Sequence, residues 1–214
     1  MPLAVDRYEL GTIGTNCYVV RADRTSSEAV VVDPGADAAE LRLRLASSGA
    51  RCAAILVTHT HWDHIGGVAD LAEGTGAPVY APEGESEVLE HADETYGQLG
   101  VRIRPYAADV WLAGDETVSA AGIEFETFLV PGHSAGHLAY AADGCLFSGD
   151  VLFAGGVGRT DLPGGDWETL IASIRTLADR LPPETLVYSG HGPPTRLGDE
   201  LERNPFLAEL RAPS

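Results

Sequence analysis

Short apolar runs alternate along the chain with glycine, proline and acidic positions, and their period switches between that of a strand and that of a helix. Cys17-Tyr18-Val19-Val20 and Ala29-Val30-Val31-Val32-Asp33 read as strands, separated by a polar turn from Asp23 to Ser27. Asp33-Pro34-Gly35 ends the second strand with turn-forming residues. From Asp37 to Ser47, Leu41 and Leu45 recur with Leu43 between them, which predicts a helix, and Gly49 stands where its C-terminal stop belongs. Ala53-Ala54-Ile55-Leu56-Val57 is apolar without a break, as suits a strand covered on both faces. Beyond it, Ile65 to Glu73 predicts a helix and Pro78-Val79-Tyr80 a short strand. The acidic stretch from Glu83 to Leu99 reads as mixed helix and loop.

The second half begins with a hairpin, Thr117 to Ala120 and Ile123 to Val130, turning at Ala121-Gly122. Leu138 to Ala142 and Cys145 to Phe147 form another strand pair about Asp143-Gly144. Asp166 to Leu181 is helical, with Trp167, Leu170, Ile171, Ile174, Leu177 and Leu181 on one face. Leu186-Val187-Tyr188 reads as the last strand, and Pro205 and Phe206 sit in a short tail. Both halves run from strands to helix, which fits two sheets with helices outside them, and no linker divides them.

Composition narrows the class. A chain of 214 residues suits one large domain better than two. Apolar residues make up 44% and charged residues 21%, as in a globular protein. No apolar run reaches the roughly 18 residues of a membrane span. The N-terminus carries Asp6, Arg7 and Glu9 and does not resemble a secretory signal, so a cytoplasmic protein is expected. A net charge of −18 repels nucleic acid and anionic membranes alike, so neither is expected as a partner. Cys17, Cys52 and Cys145 form no CxxC pair and read as small buried apolar residues. Oligomeric state is not written in the sequence.

The chemistry concentrates in Thr58-His59-Thr60-His61-Trp62-Asp63-His64. Alternate residues of an extended segment point the same way, so His59 and His61 can share a metal ion. The chain must then turn for Asp63 and His64 to face a neighbouring site, and Gly66-Gly67 permits a close turn behind them. Neutral imidazole and carboxylate suit zinc, manganese and iron. Three later segments follow apolar runs and place a histidine or aspartate beside glycine: Pro131 to His137, Ser148-Gly149-Asp150 and Ser189-Gly190-His191-Gly192. All four segments are expected to converge at one edge of the sheets.

Taken together these residues resemble the metallo-β-lactamase fold superfamily. Its HxHxDH signature is matched at His59, His61, Asp63 and His64, and its later ligands at His133, Asp150 and His191. The resemblance covers nearly the whole chain and implies a single α/β domain over residues 1–214, a four-layer αββα sandwich. It implies one divalent ion on His59, His61 and His133, a second on Asp63, His64 and His191, and Asp150 bridging both. Zinc is the first expectation, with iron or manganese as alternatives. Asp33 matches a position near the site in this family, and His137 is expected to support a ligand.

Asp150, where zinc β-lactamases commonly carry cysteine, makes the chain look like the glyoxalase II branch. Gly149 to Phe153, Gly156 to Asp166 and Glu202 to Leu207 are similar to a compact glyoxalase II-like (hydroxyacylglutathione hydrolase-like) group. Classical glyoxalase II carries a C-terminal helical domain that supplies basic residues for glutathione, and too few residues follow His191 for one here. The thiol is therefore open, and Arg159 is the basic side chain expected to bind substrate. The implied reaction is hydrolysis of a small-molecule thioester by a hydroxide bridging the two ions, with Asp63 and Asp150 as the catalytic carboxylates. Ser134 and Ser148 are expected to serve turns, and Trp62 and Tyr96 to lie near the pocket mouth. Persulfide dioxygenases resemble the chain through a similar Gly156 to Asp161 run, so iron-dependent persulfide oxidation is the alternative. A β-lactamase is disfavoured by Asp150 and the N-terminus, and a nuclease by the acidity.

Overall fold

The computed structural model describes residues 2–211. A first six-stranded sheet has the order β1 (Ala4–Leu10), β2 (Thr15–Arg21), β3 (Glu28–Val32), β4 (Arg51–Leu56), β5 (Val79–Pro82) and β6 (Val110–Leu112). Helices α1 (Ala38–Ser48), α2 (Trp62–Ile65), α3 (Val68–Thr75), α4 (Ser86–Glu90) and α5 (Ala92–Gly97) connect its parallel strands. The second six-stranded sheet contains β7 (Thr117–Ala120), β8 (Ile123–Leu129), β9 (Leu138–Ala142) and β10 (Cys145–Gly149). After a small ribbon, β11 (Leu152–Phe153) with β12 (Gly156–Val157), come α6 (Trp167–Arg180), β13 (Leu186–Ser189), β14 (Thr195–Arg196) and α7 (Leu197–Arg203). Its order is β14-β13-β10-β9-β8-β7.

Three apolar layers hold this together, and strand alternation assigns residues to them. On β2 and β3, Cys17, Val19, Ala29 and Val31 face the helices of the first half, while Tyr18, Val20, Val30 and Val32 face the other sheet. Phe125, Leu138, Tyr140 and Phe147 meet them from β8, β9 and β10. On the far side, Ala139, Ala141 and Leu146 pack against Leu170, Ile174 and Leu177 of α6. The result is helix, sheet, sheet, helix, the four-layer αββα sandwich that the resemblance implies. Cys17, Cys52 and Cys145 are buried and unpaired, as small core residues. Among the described residues no helix is long and apolar enough to cross a membrane.

The structure departs from the sequence pattern in a few places. β1 went unread because exposed Arg7 and Glu9, and Asp6 paired with Arg21, dilute the apolar signal of this edge strand. The helix expected from Ile65 to Glu73 is two helices broken at Gly66 and Gly67, where a Cβ on Gly66 would lie 2.3 Å from the Gly35 carbonyl oxygen. Trp167 starts α6 but is partly exposed rather than part of its buried stripe. Leu186–Ser189 is not the last strand: β14 and α7 follow, and Pro205–Arg211 is a 3-10 helix, not a tail.

Leu177 is fully buried beneath the second sheet. Leu177→Ala is expected to cost about 2–5 kcal/mol of stability, read by urea unfolding; a loss under about 1 kcal/mol would mean that this layer is not close-packed.

Candidate metal centre

The four chemistry-bearing segments leave β4, β8, β10 and β13 at their C-terminal ends, and these ends share one rim of the sandwich. Backbone hydrogen bonds lock the segments to one another: Leu138 N–H donates to the Thr58 carbonyl at 2.8 Å, Gly190 N–H to Gly149 at 2.8 Å, and Asn16 N–H to Gly190 at 2.7 Å. The closeness explains one recurrent glycine. A Cβ on Gly190 would lie 2.1 Å from Asp150 Oδ1 and 2.5 Å from the His64 ring. Any side chain there would occupy the space in which these two groups meet.

Three imidazole nitrogens converge in this space. His61 Nδ1 lies 3.0 Å from His59 Nε2 and 2.9 Å from His133 Nε2. A second set gathers beside them: His64 Nε2 lies 3.4 Å from Asp63 Oδ2 and 3.4 Å from Asp150 Oδ1, and His191 Nε2 lies 3.3 Å from Asp63 Oδ2. Asp150 turns its other oxygen, Oδ2, toward His133 and His191, each at 3.6 Å. All seven ligand candidates are thus brought together, in groups whose donor atoms lie within 4.8 Å of one another.

The far sides of the rings show which nitrogens carry protons. Asp33 accepts from Thr58 N–H at 2.8 Å, from Thr58 Oγ1 at 2.7 Å and from His64 Nδ1 at 2.9 Å. The Thr58 hydroxyl proton is committed to Asp33, so the Thr58 oxygen accepts from His59 Nδ1 at 3.1 Å. His133 Nδ1 donates to the Arg159 carbonyl at 2.8 Å. Each of these rings, when neutral, therefore presents an unprotonated Nε2 to the shared space. His137 stacks on His59 with ring centroids 4.6 Å apart, and its Nε2 accepts from Asp150 N–H at 3.1 Å.

Electrostatics follow from this crowding. Burial, with the neighbouring His133 and His64 rings, pushes His61 down to about 4. His59 is held well below the usual imidazole range by burial and by His64 and His137. Burial works to raise the Asp63 carboxyl, but the His191 hydrogen bond and the His64 ring bring it to about 2. Burial likewise opposes ionisation of Asp150, and His64 and His133 reverse that effect. For His64, burial disfavours the cation while Asp150 and Asp33 favour it more strongly, so its pKa is raised. His64 Nε2 and Asp150 Oδ1 are both buried without a hydrogen-bond partner. These orphaned atoms face one another across 3.4 Å; the carboxylates draw positive charge onto His64, and a metal cation in place of that proton fits the set of imidazole and carboxylate donors.

The remaining expected residues take the following places. Asp33 and His137 support the donors, as described above. Arg159 lends its carbonyl to His133, while its exposed guanidinium forms a two-pronged pair with Asp161 at 2.7 Å. Tyr96 OH donates to the Thr60 carbonyl at 2.7 Å, and Trp62 packs into the first apolar layer. Sequence reading missed Thr15, whose hydroxyl donates to Asp63 Oδ2 at 2.6 Å, and the buried Glu85. No spacing or motif marks either residue, since each meets the site from a separate element.

Comparison with known proteins agrees with this geometry. Residues 10–191 match the family model described as the metallo-beta-lactamase superfamily. The chain is 38% identical to a probable metallo-hydrolase, YqgX, of Bacillus subtilis (strain 168), over 94% of this chain and 96% of that protein. It is 35% identical to the hydroxyacylglutathione hydrolase GloC of Haemophilus influenzae, over 90% of this chain and 92% of that protein. Among solved structures it is similar to BLEG-1 B3 metallo-beta-lactamase, at 40% identity and TM-score 0.89, covering 96% of this chain and 100% of that one. It is similar to TTHA1623 in a di-iron-bound form, at 38% identity and TM-score 0.82, covering 94% and 100%. ETHE1 from Myxococcus xanthus is similar at 25% identity and TM-score 0.79, covering 98% and 92%.

Asp33 adopts a φ of 51°, which asparagine tolerates, so Asp33→Asn keeps the backbone while removing one acceptor oxygen. Zinc affinity, measured by competition with a chromophoric chelator, is expected to fall on the order of 10–100-fold. Unchanged affinity would show that Asp33 does not set the His64 tautomer.

Proposed function

The chain belongs to the metallo-beta-lactamase superfamily, and from that membership we propose that it hydrolyses small-molecule thioesters of the hydroxyacyl-thiol type at this centre. Asp150 carries the reading. Its Oδ1 faces His64 and its Oδ2 faces His133 and His191, so one carboxylate is shared between two donor sets. On this reading His59, His61 and His133 would hold one ion, Asp63, His64 and His191 would hold the other, and Asp150 would serve both. Zinc is the proposed metal, with iron or manganese accepted by the same donors. When bound, such ions supply Lewis acidity, bringing the pKa of water toward neutrality and stabilising negative charge on a carbonyl oxygen.

The protein's own residues account for the remainder. Asp63 is ionised at neutral pH, and Thr15 occupies its Oδ2, so Oδ1 is the atom assigned to orient the attacking water. A thiol ionises near pH 8.5, so a thiolate leaves with little general-acid help. That matches the fate of the nearby serines: Ser134 donates to Glu85, and Ser148 donates to the Leu152 carbonyl at 3.1 Å. Neither is placed as a nucleophile. The relative named hydroxyacylglutathione hydrolase, aligned over 90% of this chain, supports the substrate class. Arg159 is assigned the carboxylate of the thiol moiety, which it would take in exchange for Asp161.

Two observations favour other reactions. His59, His64 and Asp150 form a two-histidine, one-carboxylate group, a donor type that non-haem iron oxygenases use, which favours persulfide oxidation. The likeness to a protein described as a B3 metallo-beta-lactamase favours β-lactam hydrolysis.

One assay series separates the three. Zinc-loaded and iron-loaded protein is given S-lactoylglutathione, glutathione persulfide with an oxygen electrode, and a chromogenic β-lactam. Thioester cleavage is expected to dominate, to vanish with chelation, to return with zinc, and to fall about 100-fold or more in Asp150→Ala. Oxygen uptake or β-lactam opening without thioester cleavage would overturn the proposal. In the same assay Arg159→Ala is expected to raise KM several-fold with kcat little changed; an unchanged KM would leave Arg159 as a partner of Asp161 alone.

A further inference from the structure

Glu85 precedes α4 and is only 6% exposed, and among the described residues no cation pairs with it. Burying an ionised carboxylate is costly unless its oxygens are satisfied. Here four donors satisfy it, two on each oxygen. Oε2 accepts from Thr60 N–H at 2.7 Å and from Thr60 Oγ1 at 2.7 Å. Oε1 accepts from Gly136 N–H at 3.0 Å and from the Ser134 hydroxyl.

The donors come from two different loops. Thr60 lies between His59 and His61, on the loop after β4 of the first sheet. Ser134 and Gly136 follow His133, on the loop after β8 of the second sheet. The Glu85 segment packs directly on the second of these loops: a Cβ on Gly136 would lie 2.9 Å from Glu85 Cγ and 2.9 Å from the Gly84 backbone. Tyr96, further along the same helical segment, adds its hydrogen bond to the Thr60 carbonyl.

His61 needs such support because, among the described residues, its far nitrogen is not held. His59, His64 and His133 each have their Nδ1 held by a protein acceptor. Among the described residues, His61 Nε2 makes no hydrogen bond, so the placement of its Nδ1 depends on the backbone at Thr60.

We propose that Glu85 is a positioning residue for the metal centre, a strut that sets His59 and His61 against His133. The inference rests on the reading of those nitrogens as metal donors. Only an acid serves both loops. Glutamine offers one acceptor oxygen, which can satisfy Thr60 or the Ser134–Gly136 pair, and its amide group then confronts the N–H donor of the other loop. Glu85→Gln therefore keeps the volume and releases one loop.

The test measures zinc stoichiometry and both stepwise affinities by chelator competition, at a temperature where circular dichroism shows every variant folded. Glu85→Gln is expected to weaken at least one zinc step on the order of 10–100-fold. Leu177→Ala, destabilised in the remote helical layer, is the control for stability alone and is expected to bind zinc as the wild type does. Ser134→Ala removes one of the four donors and is expected to show a smaller weakening, which carries the test if Glu85→Gln does not fold. Wild-type affinities in both Glu85→Gln and Ser134→Ala, or equal weakening in Leu177→Ala, would overturn the strut. A wild-type protein that binds no zinc, iron or manganese would instead overturn the metal-centre reading on which the strut rests.

Discussion

Imidazole nitrogens and carboxylate oxygens that converge with more lone pairs than protons are the constraint around which this protein is built. His59, His61 and His133 bring three nitrogens within 3.0 Å along two edges, with two of the three protonated on their far sides. Beside them, half-buried Asp63 and buried Asp150 are ionised. Such a cluster draws positive charge, a proton on His64 or a metal cation in its place. The Asp33 carboxylate is the hinge of the arrangement. One side chain orients His64 directly and His59 through Thr58, so two donors in different groups depend on a single acceptor.

The sandwich exists to hold that arrangement against its own electrostatics. Each ligand-bearing loop starts where a buried strand ends, and the two sheets are fixed to each other by the apolar layer of Tyr18, Phe125, Tyr140 and Phe147. Rigid strand ends bring the loops close, and polar contacts between loops set the final separation. The chain's match to the metallo-beta-lactamase superfamily spans residues 10–191, which include all of these strand ends and loops.

Much of this was legible in the sequence because it is local. His59 to His64 is a contiguous run, and the strands from Ala53, Leu138 and Cys145 are apolar enough to read directly. The later ligands were recognisable from the glycine beside each, which the close approach at Gly190 explains. What stayed hidden is non-local or too polar to stand out. Thr15 reaches Asp63 from a hairpin 48 residues away, and Glu85 stands 49 residues from Ser134. β1 is masked by its charged residues, and α7 buries only Leu197 and Glu200, too few to show a stripe. The substrate lay furthest from view, because the same donors serve several reactions and the discriminating surface is a matter of pocket shape.

The most direct test of the account is a crystal structure of zinc-loaded protein with anomalous diffraction recorded on both sides of the zinc edge. The account predicts two zinc peaks about 3.5–4 Å apart, one among His59, His61 and His133, the other among Asp63, His64 and His191, with Asp150 in contact with both. A single peak, or two peaks without Asp150 between them, would contradict it.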